Sequence, residues 1–296
     1  MGQIEDLKLF VTVVDQGSIA KAADVMSIAK SAVSRRLAQL EGRYDVRLID
    51  RQPGKWWVTD AGRELYQRAN PMLADADDLD RDFMQPTRNL SGPLRVTIAH
   101  EFGMTFLKPM LFRFAKDFPE IELAVDFDDR TIDLDRENYD LAIRITSKGP
   151  GGDSDITIGQ TRHGLFASPD YLRDHGMPCE PRDLRDHALL QYGPSRRAIW
   201  KFEFDGKPCK LEFKPYLNSR TGAFLKDAAV DGMGIVRMLD FVVRQDVEAK
   251  RLIPVLPRAD FENFGVHLIH APNRRLNKRM RAFSQAVLNR CADFQP

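Results

Sequence analysis

The sequence predicts a multi-domain α+β chain with an N-terminal winged helix-turn-helix, a long linker helix and a C-terminal two-lobed α/β domain. The length, 296 residues, exceeds that of one typical domain. Three helical patterns and two short strand patterns come first, and strands alternate with helices from about residue 94 onward. We predict these boundaries: 1–60 for the first unit, 61–90 for the linker helix and 91–296 for the last unit, with lobe 1 at about 91–162 and 268–296 and lobe 2 at about 163–267.

Composition narrows the class of protein. The net charge is +1 at pH 7, and 43% of the residues are hydrophobic, as in ordinary globular proteins. The chain has neither a signal-peptide core nor an apolar run of the ~20 residues that a membrane span needs. Cys179, Cys209 and Cys291 are far apart, which implies no disulfide framework, although a redox switch is an alternative to plain packing. We therefore expect a cytoplasmic protein without membrane association.

The first sixty residues contain three helical patterns and a wing. Apolar residues at helical spacing predict a first helix that ends at Gly17, and Ser18 is a good N-cap for a second. A third helix follows the turn at residues 26–28 and is expected to close near Gly42. Residues 46–49 and 56–58 are predicted strands on either side of a Pro-Gly turn. Two short helices followed by such a hairpin are typical of a winged helix-turn-helix.

A long helix is predicted from about Ala61 into the eighties. Pro71 lies inside it and should kink it or force a local adjustment. Its apolar stripe is formed by Leu65, Tyr66, Ala69, Leu73, Ala76 and Leu79. A long helix with such a stripe is expected to pair with its copy in a second subunit, so we predict self-association through residues 61–85.

Local charge points to double-stranded DNA as a partner. Residues 28–58 contain seven basic and three acidic side chains, a local balance of +4. On the third helix Val33, Leu37 and Leu40 should face inward, which leaves small hydroxyls and basic side chains on the outer face. Hydroxyl groups allow close approach to a groove, and Arg and Lys reach guanine edges or phosphates. The candidate DNA-binding residues are Lys30, Ser31, Ser34, Arg35 and Arg36 on the helix, with Arg51 and Lys55 on the wing.

Beyond the linker the pattern predicts an open, largely parallel sheet with helices on both faces. Asp205-Gly206 between two strand patterns is a strong hairpin signal. The predicted strands are 94–99, 121–127, 141–145, 199–204, 207–213, 217–219, 235–236 and 266–270, and a second unit is predicted to start at 164–168. The predicted helices are 106–118, 133–137, 169–175, 221–231 and 278–289.

Several segments together resemble the LysR family of bacterial transcriptional regulators. In the first unit the matching segments are Gly17-Ser18-Ile-Ala-Lys-Ala22-Ala23, Ser31-Ala32-Val33-Ser34-Arg35-Arg36-Leu37, Leu40-Glu41, Val46-Arg47-Leu48-Ile49-Asp50-Arg51 and Val58-Thr59-Asp60-Ala61-Gly62. In the last unit they are Leu94-Arg-Val, Phe118-Pro119, Tyr139-Asp140-Leu141-Ala142-Ile143-Arg144, Ala167-Ser168-Pro169-Asp170-Tyr171-Leu172 and Asp231-Gly232-Met-Gly234-Ile235.

The resemblance implies a regulator that binds promoter inverted repeats as a dimer or tetramer and senses a small molecule. Its C-terminal effector domain would be two-lobed and periplasmic-binding-protein-like, and RNA polymerase is a candidate partner. The sequence departs from the family pattern at the start of the third helix, where Ala29-Lys30-Ser31 replaces Ser-Gln-Pro. Capping there falls to Ser27 or to water, and Lys30 replaces a bidentate adenine reader by a point charge. Of Trp56 and Trp57 in the wing, one is expected in the core; the other lies either along the DNA backbone or in packing.

In receptors of this kind the ligand lies between the lobes, where strand C-termini and helix N-termini favour anions. We expect a small organic, anionic effector there, with no other cofactor and no metal. An exposed loop with no ligand role is the alternative for the His100-Glu101 pair, and a structural ion pair is the alternative for Arg144. The candidate effector-binding residues are His100, Glu101, Phe102, Arg144, Thr146, Trp200, Ser219 and Thr221.

Two other classes of protein compete with this interpretation. An enzyme is disfavoured because the chain has no GxGxxG, Walker, HExxH or GxSxG motif. His267 and His270, three apart on a predicted strand, face opposite sides and make a poor metal pair. A solute-binding module without DNA function is disfavoured by the winged N-terminal unit and the missing export signal.

Overall fold

The computed structural model describes residues 2–52, 55–84, 90–134, 136–147, 155–270, 276–292 and 294. The chain forms two compact units, one of Met1–Asn89, Asp135–Asn138 and Asn273–Asn277 and the other of Leu90–Leu134, Tyr139–Pro272 and Lys278–Pro296. Within the described ranges, no helix combines the length and apolar character needed to cross a membrane.

The first unit contains four helices and a two-stranded wing among its described residues. The helices are α1 (Gln3–Gln16), α2 (Ile19–Val25), α3 (Lys30–Tyr44) and α4 (Asp60–Met84), and the wing strands are β1 (Ile49–Gln52) and β2 (Lys55–Val58). The wing strands pair antiparallel, with Ile49 opposite Val58. The helix α4 is continuous through Pro71.

Local signals set most of these boundaries. Gly17 ends α1 in the left-handed conformation at φ 58°, and the Ser18 side chain accepts a hydrogen bond from the Lys21 amide at the start of α2. The helix α3 passes the predicted end at Gly42 and stops at Asp45, which adopts the left-handed conformation instead. The wing begins at Ile49 rather than at residue 46, and the carboxylate of Glu41 accepts the amide hydrogen of Leu48 just ahead of the ladder.

The three inward residues of α3 are confirmed, since Val33, Leu37 and Leu40 are fully buried. They share one core with the apolar residues of α1 and α2. The stripe on α4 differs from the prediction, because most of it packs on this same core: Leu65, Tyr66, Ala69 and Leu73. Met72 and Leu79, seven residues apart, are the large apolar side chains that α4 leaves exposed in its described part.

The second unit holds the remaining elements. Its strands are β3 (Gly92–Ile98), β4 (Ile121–Phe127), β5 (Leu141–Thr146), β6 (Asp155–Ala167), β7 (Leu189–Tyr192), β8 (Ala198–Phe204), β9 (Lys207–Phe213), β10 (Leu217–Ser219), β11 (Ile235–Leu239), β12 (Ile253–Val255), β13 (Ala259–Asp260) and β14 (Asn263–His270). Its helices are α5 (Lys108–Asp117), α6 (Pro169–His175), α7 (Gly222–Val230), α8 (Asp240–Glu248) and α9 (Lys278–Cys291). A π-helical segment, Phe102–Leu107, leads into α5, and a short 3₁₀ helix spans Asp183–Asp186.

The main sheet is mixed rather than largely parallel. Its strand order is β10-β7-β11-β6-β14-β5-β3-β4, and β12 also pairs with β6. The strand β3 is parallel to β4 and β5, and β7 is parallel to β10 and β11, whereas β14 and β6 run antiparallel to their neighbours. We call the half with β3, β4 and β5 lobe 1 and the half with β7, β10 and β11 lobe 2. The long strand β6 passes through both, pairing with β14 and then with β11.

Two further local predictions had opposite outcomes. The hairpin is confirmed, because Asp205 (φ 50°) and Gly206 (φ 72°) both adopt the left-handed conformation that a two-residue turn between β8 and β9 requires. The predicted helix at 133–137 is wrong for the described residues, which form a turn closed by a hydrogen bond from the Tyr139 amide to the Leu134 carbonyl. Residue 135 lies outside the described residues.

Candidate functional site

The outer face of α3 carries most of the predicted DNA-binding side chains. Lys30 is the first residue of this helix and is exposed, as are Ser31 and Arg35, while Ser34 is half-buried. Ala29 stands at the N-cap without a side-chain cap, and Ser27, at φ 54°, does not supply one. The exposed face therefore combines a hydroxyl, a guanidinium and an ammonium group on one rigid helix, the chemistry that enters a major groove.

Arg36 differs from the prediction of a DNA contact, because it is held inside the unit. Its Nε and one terminal nitrogen donate to Oδ1 of Asp6 on α1 at 2.9 and 2.8 Å. The two side chains are 13% and 11% exposed. Arg43 also contacts Asp6, at 3.4 Å. One buried carboxylate thus engages two of the seven basic side chains counted in residues 28–58 and ties α3 to α1.

For the two basic residues predicted on the wing, the structure describes only the backbone. Arg51 and Lys55 lie on β1 and β2, but their side chains lie outside the described residues. Trp56 packs against the core of the unit, and Trp57 is exposed. A tryptophan in the core is confirmed by Trp56, whereas the exposure of Trp57 opposes the packing alternative for the second one.

Three residues hold the wing in place through contacts that the sequence did not predict, although all three lie in the segments that resemble the family. The Glu41 carboxylate accepts the amides of Leu48 and Ile49 at 2.9 and 3.2 Å. The Thr59 hydroxyl donates to the Arg47 carbonyl and accepts the amide of Gly62. A Cβ at Gly62 would lie 2.1 Å from the Leu48 carbonyl oxygen, so only glycine fits there. Glu41 and the segment from Thr59 to Gly62 therefore fix the position of the wing through hydrogen bonds and close backbone packing.

In the second unit, Glu101 reaches from lobe 1 to the first turn of α7 in lobe 2. Its Oε1 accepts the amides of Gly222 and Ala223 at 2.5 and 3.3 Å. The His100 ring lies 3.2 Å from the same oxygen through Nδ1. The carboxylate therefore occupies the helix N-terminus at which we expected an anionic effector.

A second contact joins the lobes beside it. The Tyr192 hydroxyl, at the end of β7, donates to Oδ2 of Asp129 at 2.5 Å, and the His100 amide donates to Oδ1 at 2.9 Å. Burial, followed by the hydrogen bond to Asp129, raises the pKa of Tyr192 well above its usual range. Sequence reasoning missed Asp129, Tyr192 and Gly222. Asp129 follows the end of β4, and that position at a strand C-terminus was the available signal.

Arg144 lies in lobe 1 on β5, close to this group. One terminal nitrogen donates to the Thr97 hydroxyl at 2.8 Å and the other to the Ile143 carbonyl at 3.0 Å. Burial lowers the pKa of Arg144, and the charges of Asp128 and Asp129 oppose that shift. The guanidinium thus has a fixed, partly buried position near the two acidic residues that follow β4.

The polar residues predicted from lobe 2 lie near the start of α7. Thr221 is the N-cap of α7, is exposed and makes no side-chain cap bond. The Ser219 hydroxyl accepts the Thr221 amide at 3.0 Å. Thr146, at the end of β5, pairs with Gly265 of β14.

The prediction that Phe102 and Trp200 line the effector site is wrong. Both are fully buried. Phe102 packs among Phe106, Phe241 and Phe294, with ring centroids 5.2–5.5 Å apart. Trp200 stacks edge-on with Phe213 in the core of lobe 2, and its indole N–H donates to the Gln191 side chain at 2.7 Å. Because both side chains point into packed interiors, neither offers surface to a ligand.

The three cysteines differ in exposure. Cys179 is exposed, Cys209 is intermediate and Cys291 is buried. Burial raises the pKa of the Cys291 thiol to about 11. Since the thiolate is the reactive form, Cys291 is poorly suited to redox chemistry.

The similarities to known proteins extend over the whole chain. The model of the family described as "Bacterial regulatory helix-turn-helix protein, lysR family" matches residues 4–63, and that of the "LysR substrate binding domain" matches residues 87–292.

Individual relatives are of the same kind. An uncharacterized HTH-type transcriptional regulator of Haemophilus influenzae is 32% identical over 93% of this chain and 96% of its own. The uncharacterized HTH-type transcriptional regulator YhjC of Escherichia coli is 30% identical over 96% of each chain. The solved structure of CrgA, a LysR-type transcriptional regulator from Neisseria meningitidis, superimposes with a TM-score of 0.63 at 25% identity, covering 98% of this chain and 99% of that one.

Proposed function

Because the chain belongs to the LysR family of bacterial transcriptional regulators, we propose that it binds inverted repeats in promoter DNA as a dimer or tetramer and responds to a small-molecule effector. Its relatives regulate transcription and are not enzymes. The DNA-binding unit and the effector-binding domain follow from the family. We propose in addition that the target is an inverted repeat, that the protein binds it as a dimer or tetramer, that it contacts RNA polymerase and that it is located in the cytoplasm.

The observation that carries the DNA proposal is the exposed face of α3. The helix is anchored on its inner side by fully buried Leu37 and on its flank by the pair between Arg36 and Asp6. Arg35 is left exposed on the outer side, beside the small Ser31 and Ala38. Since the anchors hold the helix backbone in place, the Arg35 guanidinium can be presented to a guanine edge without further ordering of the backbone.

The test is a retardation assay on promoter DNA containing an inverted repeat, with full-length protein at several salt concentrations. We expect binding that weakens steeply with salt, and a loss of about 1–3 kcal/mol in specific binding for Arg35→Ala. Arg113→Ala, at an exposed arginine of the second unit, is the matched control and should bind as the wild type does. Weak binding that is blind to sequence would overturn the proposal, and an equal loss on all sequences would make Arg35 a phosphate contact.

Self-association is proposed through α4. Met72 and Leu79 recur after seven residues and remain exposed, so they can form a seam with a second copy. Leu65 and Leu73 are not available for this purpose, because they pack on the core of their own unit. Analytical ultracentrifugation of Met72→Asp/Leu79→Asp should show a shift toward the monomer, and an unchanged sedimentation coefficient would refute this interface.

The effector site is proposed at the strand ends where the two lobes meet. His100, Glu101 and Arg144 of lobe 1 and Ser219 and Thr221 of lobe 2 supply polar groups there. A small organic effector with a carboxylate is the class that Arg144 and the α7 amides would recognise. Calorimetric titration of the full chain with mono- and dicarboxylates should give saturable heat that Arg144→Ala reduces. No heat with any of them would oppose this class of effector.

A further inference from the structure

We propose that Glu101 is an internal carboxylate ligand of α7: it occupies from lobe 1 the anion site of lobe 2, and a carboxylate effector binds there by displacing it. This inference rests on the proposed role of the domain as a receptor and names how its site is regulated. The effector-free domain is thereby latched by its own side chain.

The geometry is that of a bound anion. Glu101 Oε1 receives two consecutive amides of the first turn of α7, at 2.5 Å from Gly222 and 3.3 Å from Ala223. The glutamate side chain is only 10% exposed. A Cβ at Gly222 would lie 2.9 Å from Glu101 Cδ, so the absence of a side chain at this position makes room for the carboxylate. The helix N-terminus and the glycine together form a cradle shaped for one carboxylate group.

The latch is incompletely satisfied, which makes it exchangeable. Oε2 of Glu101 is buried and makes no hydrogen bond to any residue that the structure describes. A buried charged oxygen without a partner costs free energy that a well-satisfied anion would not. A free carboxylate that brings further groups to bond with Arg144 or Ser219 can therefore compete with the internal one.

Displacement of Glu101 from α7 would change contacts of both lobes. Glu101 in lobe 1 and Gly222 in lobe 2 are 121 residues apart in the chain, and the hydrogen bond between Tyr192 and Asp129 closes the same gap. The adjacent His100 contacts both acidic residues, through its ring to Glu101 and through its amide to Asp129. Removing Glu101 from α7 breaks the two hydrogen bonds that its carboxylate accepts across the gap between the lobes. Occupancy of the site is thereby coupled to the arrangement of the two lobes.

The test is chemical rescue of full-length Glu101→Ala with sodium acetate, measured by thermal unfolding against sodium chloride at equal ionic strength. The variant has a vacant cradle, so acetate should raise its midpoint saturably, by about 2–4 °C near saturation. Acetate brings no further group to bond with Arg144 or Ser219, so it should not displace Glu101 in the wild type, which should show no acetate-specific rise. Glu122→Ala, which alters an exposed glutamate of lobe 1, should show none either.

Two further variants sharpen the result. Gly222→Ala places a methyl group where the carboxylate lies, so it should lose stability without regaining it in acetate. Glu101→Gln keeps the volume and an acceptor oxygen without the charge, and its acetate response should fall between those of Glu101→Ala and wild type. If Glu101→Ala does not fold, the acetate response of Glu101→Gln is compared with that of the wild type instead. An equal acetate response in all proteins, or none in either Glu101 variant, overturns the latch.

The DNA retardation assay separates this inference from the proposed function. If the wild type binds the inverted repeat but acetate does not stabilise Glu101→Ala, the proposed role of Glu101 is wrong and the proposed regulatory function is unaffected. If the wild type does not recognise the repeat, the proposed function fails whatever acetate does.

Discussion

His163 should make the second unit sensitive to mild acid, and His163→Gln should remove that sensitivity. The residue lies on β6, with its ring edge-on to Phe264 at a centroid distance of 5.1 Å. Burial, assisted by the positive charge of Arg237, lowers the pKa of His163 from 6.5 to about 3. The folded protein therefore keeps this imidazole neutral at pH values where the unfolded chain would protonate it.

The sign and size of the effect follow from proton linkage. Between about pH 6.5 and pH 3 the unfolded state binds the proton and the folded state does not, so stability falls as the pH is lowered through this window. At about pH 5 the two pKa values give a penalty of about 2 kcal/mol, an order-of-magnitude figure. Glutamine does not titrate, so its variant should lack this component.

Urea unfolding at about pH 7.5 and pH 5 measures the difference. Trp200 reports on lobe 2, because it is fully buried there, and Trp56→Phe/Trp57→Phe removes the other two tryptophans of the chain. We expect the wild type to lose about 2 kcal/mol more than His163→Gln between these pH values. His175→Gln, at an exposed histidine, is the control and should behave as the wild type. Equal losses in wild type and His163→Gln would refute the argument that burial keeps this ring neutral.

Three further predictions concern the first unit and the cysteines. Asp6→Ala leaves the buried Arg36 guanidinium without its carboxylate, so the free energy of unfolding should drop by about 3 kcal/mol in urea titration; a loss below about 1 kcal/mol would contradict a structural pair. Gly62→Ala should cost at least about 2 kcal/mol by the same measurement, since the added methyl overlaps a backbone carbonyl oxygen, and near-neutrality would show that α4 can shift away from the wing. Iodoacetamide at neutral pH, followed by mass spectrometry, should modify Cys179 well before Cys291; the reverse order would contradict the raised pKa of Cys291.

Some parts of this protein could be predicted from the sequence because they depend on neighbouring residues. The end of α1 at Gly17, the cap at Ser18 and the hairpin at Asp205-Gly206 each need only a backbone conformation that the local residues favour. The inner face of α3 follows from helical periodicity, and its exposed face follows with it. The family resemblance rests on the same local signals and is confirmed.

Contacts between distant parts of the chain were decided only by the tertiary structure. The sequence shows Arg36 as a basic residue on the flank of a recognition helix, but only the packing of α1 against α3 brings Asp6 to it. Periodicity likewise marks Trp200 as an aromatic residue on a strand without saying which face the strand buries. Glu101 and Gly222 meet across 121 residues because the two lobes share one sheet. Local patterns determine backbone conformation and the buried face of a helix, whereas the buried face of a strand and the partner of a charged group depend on which surfaces the folded chain brings together.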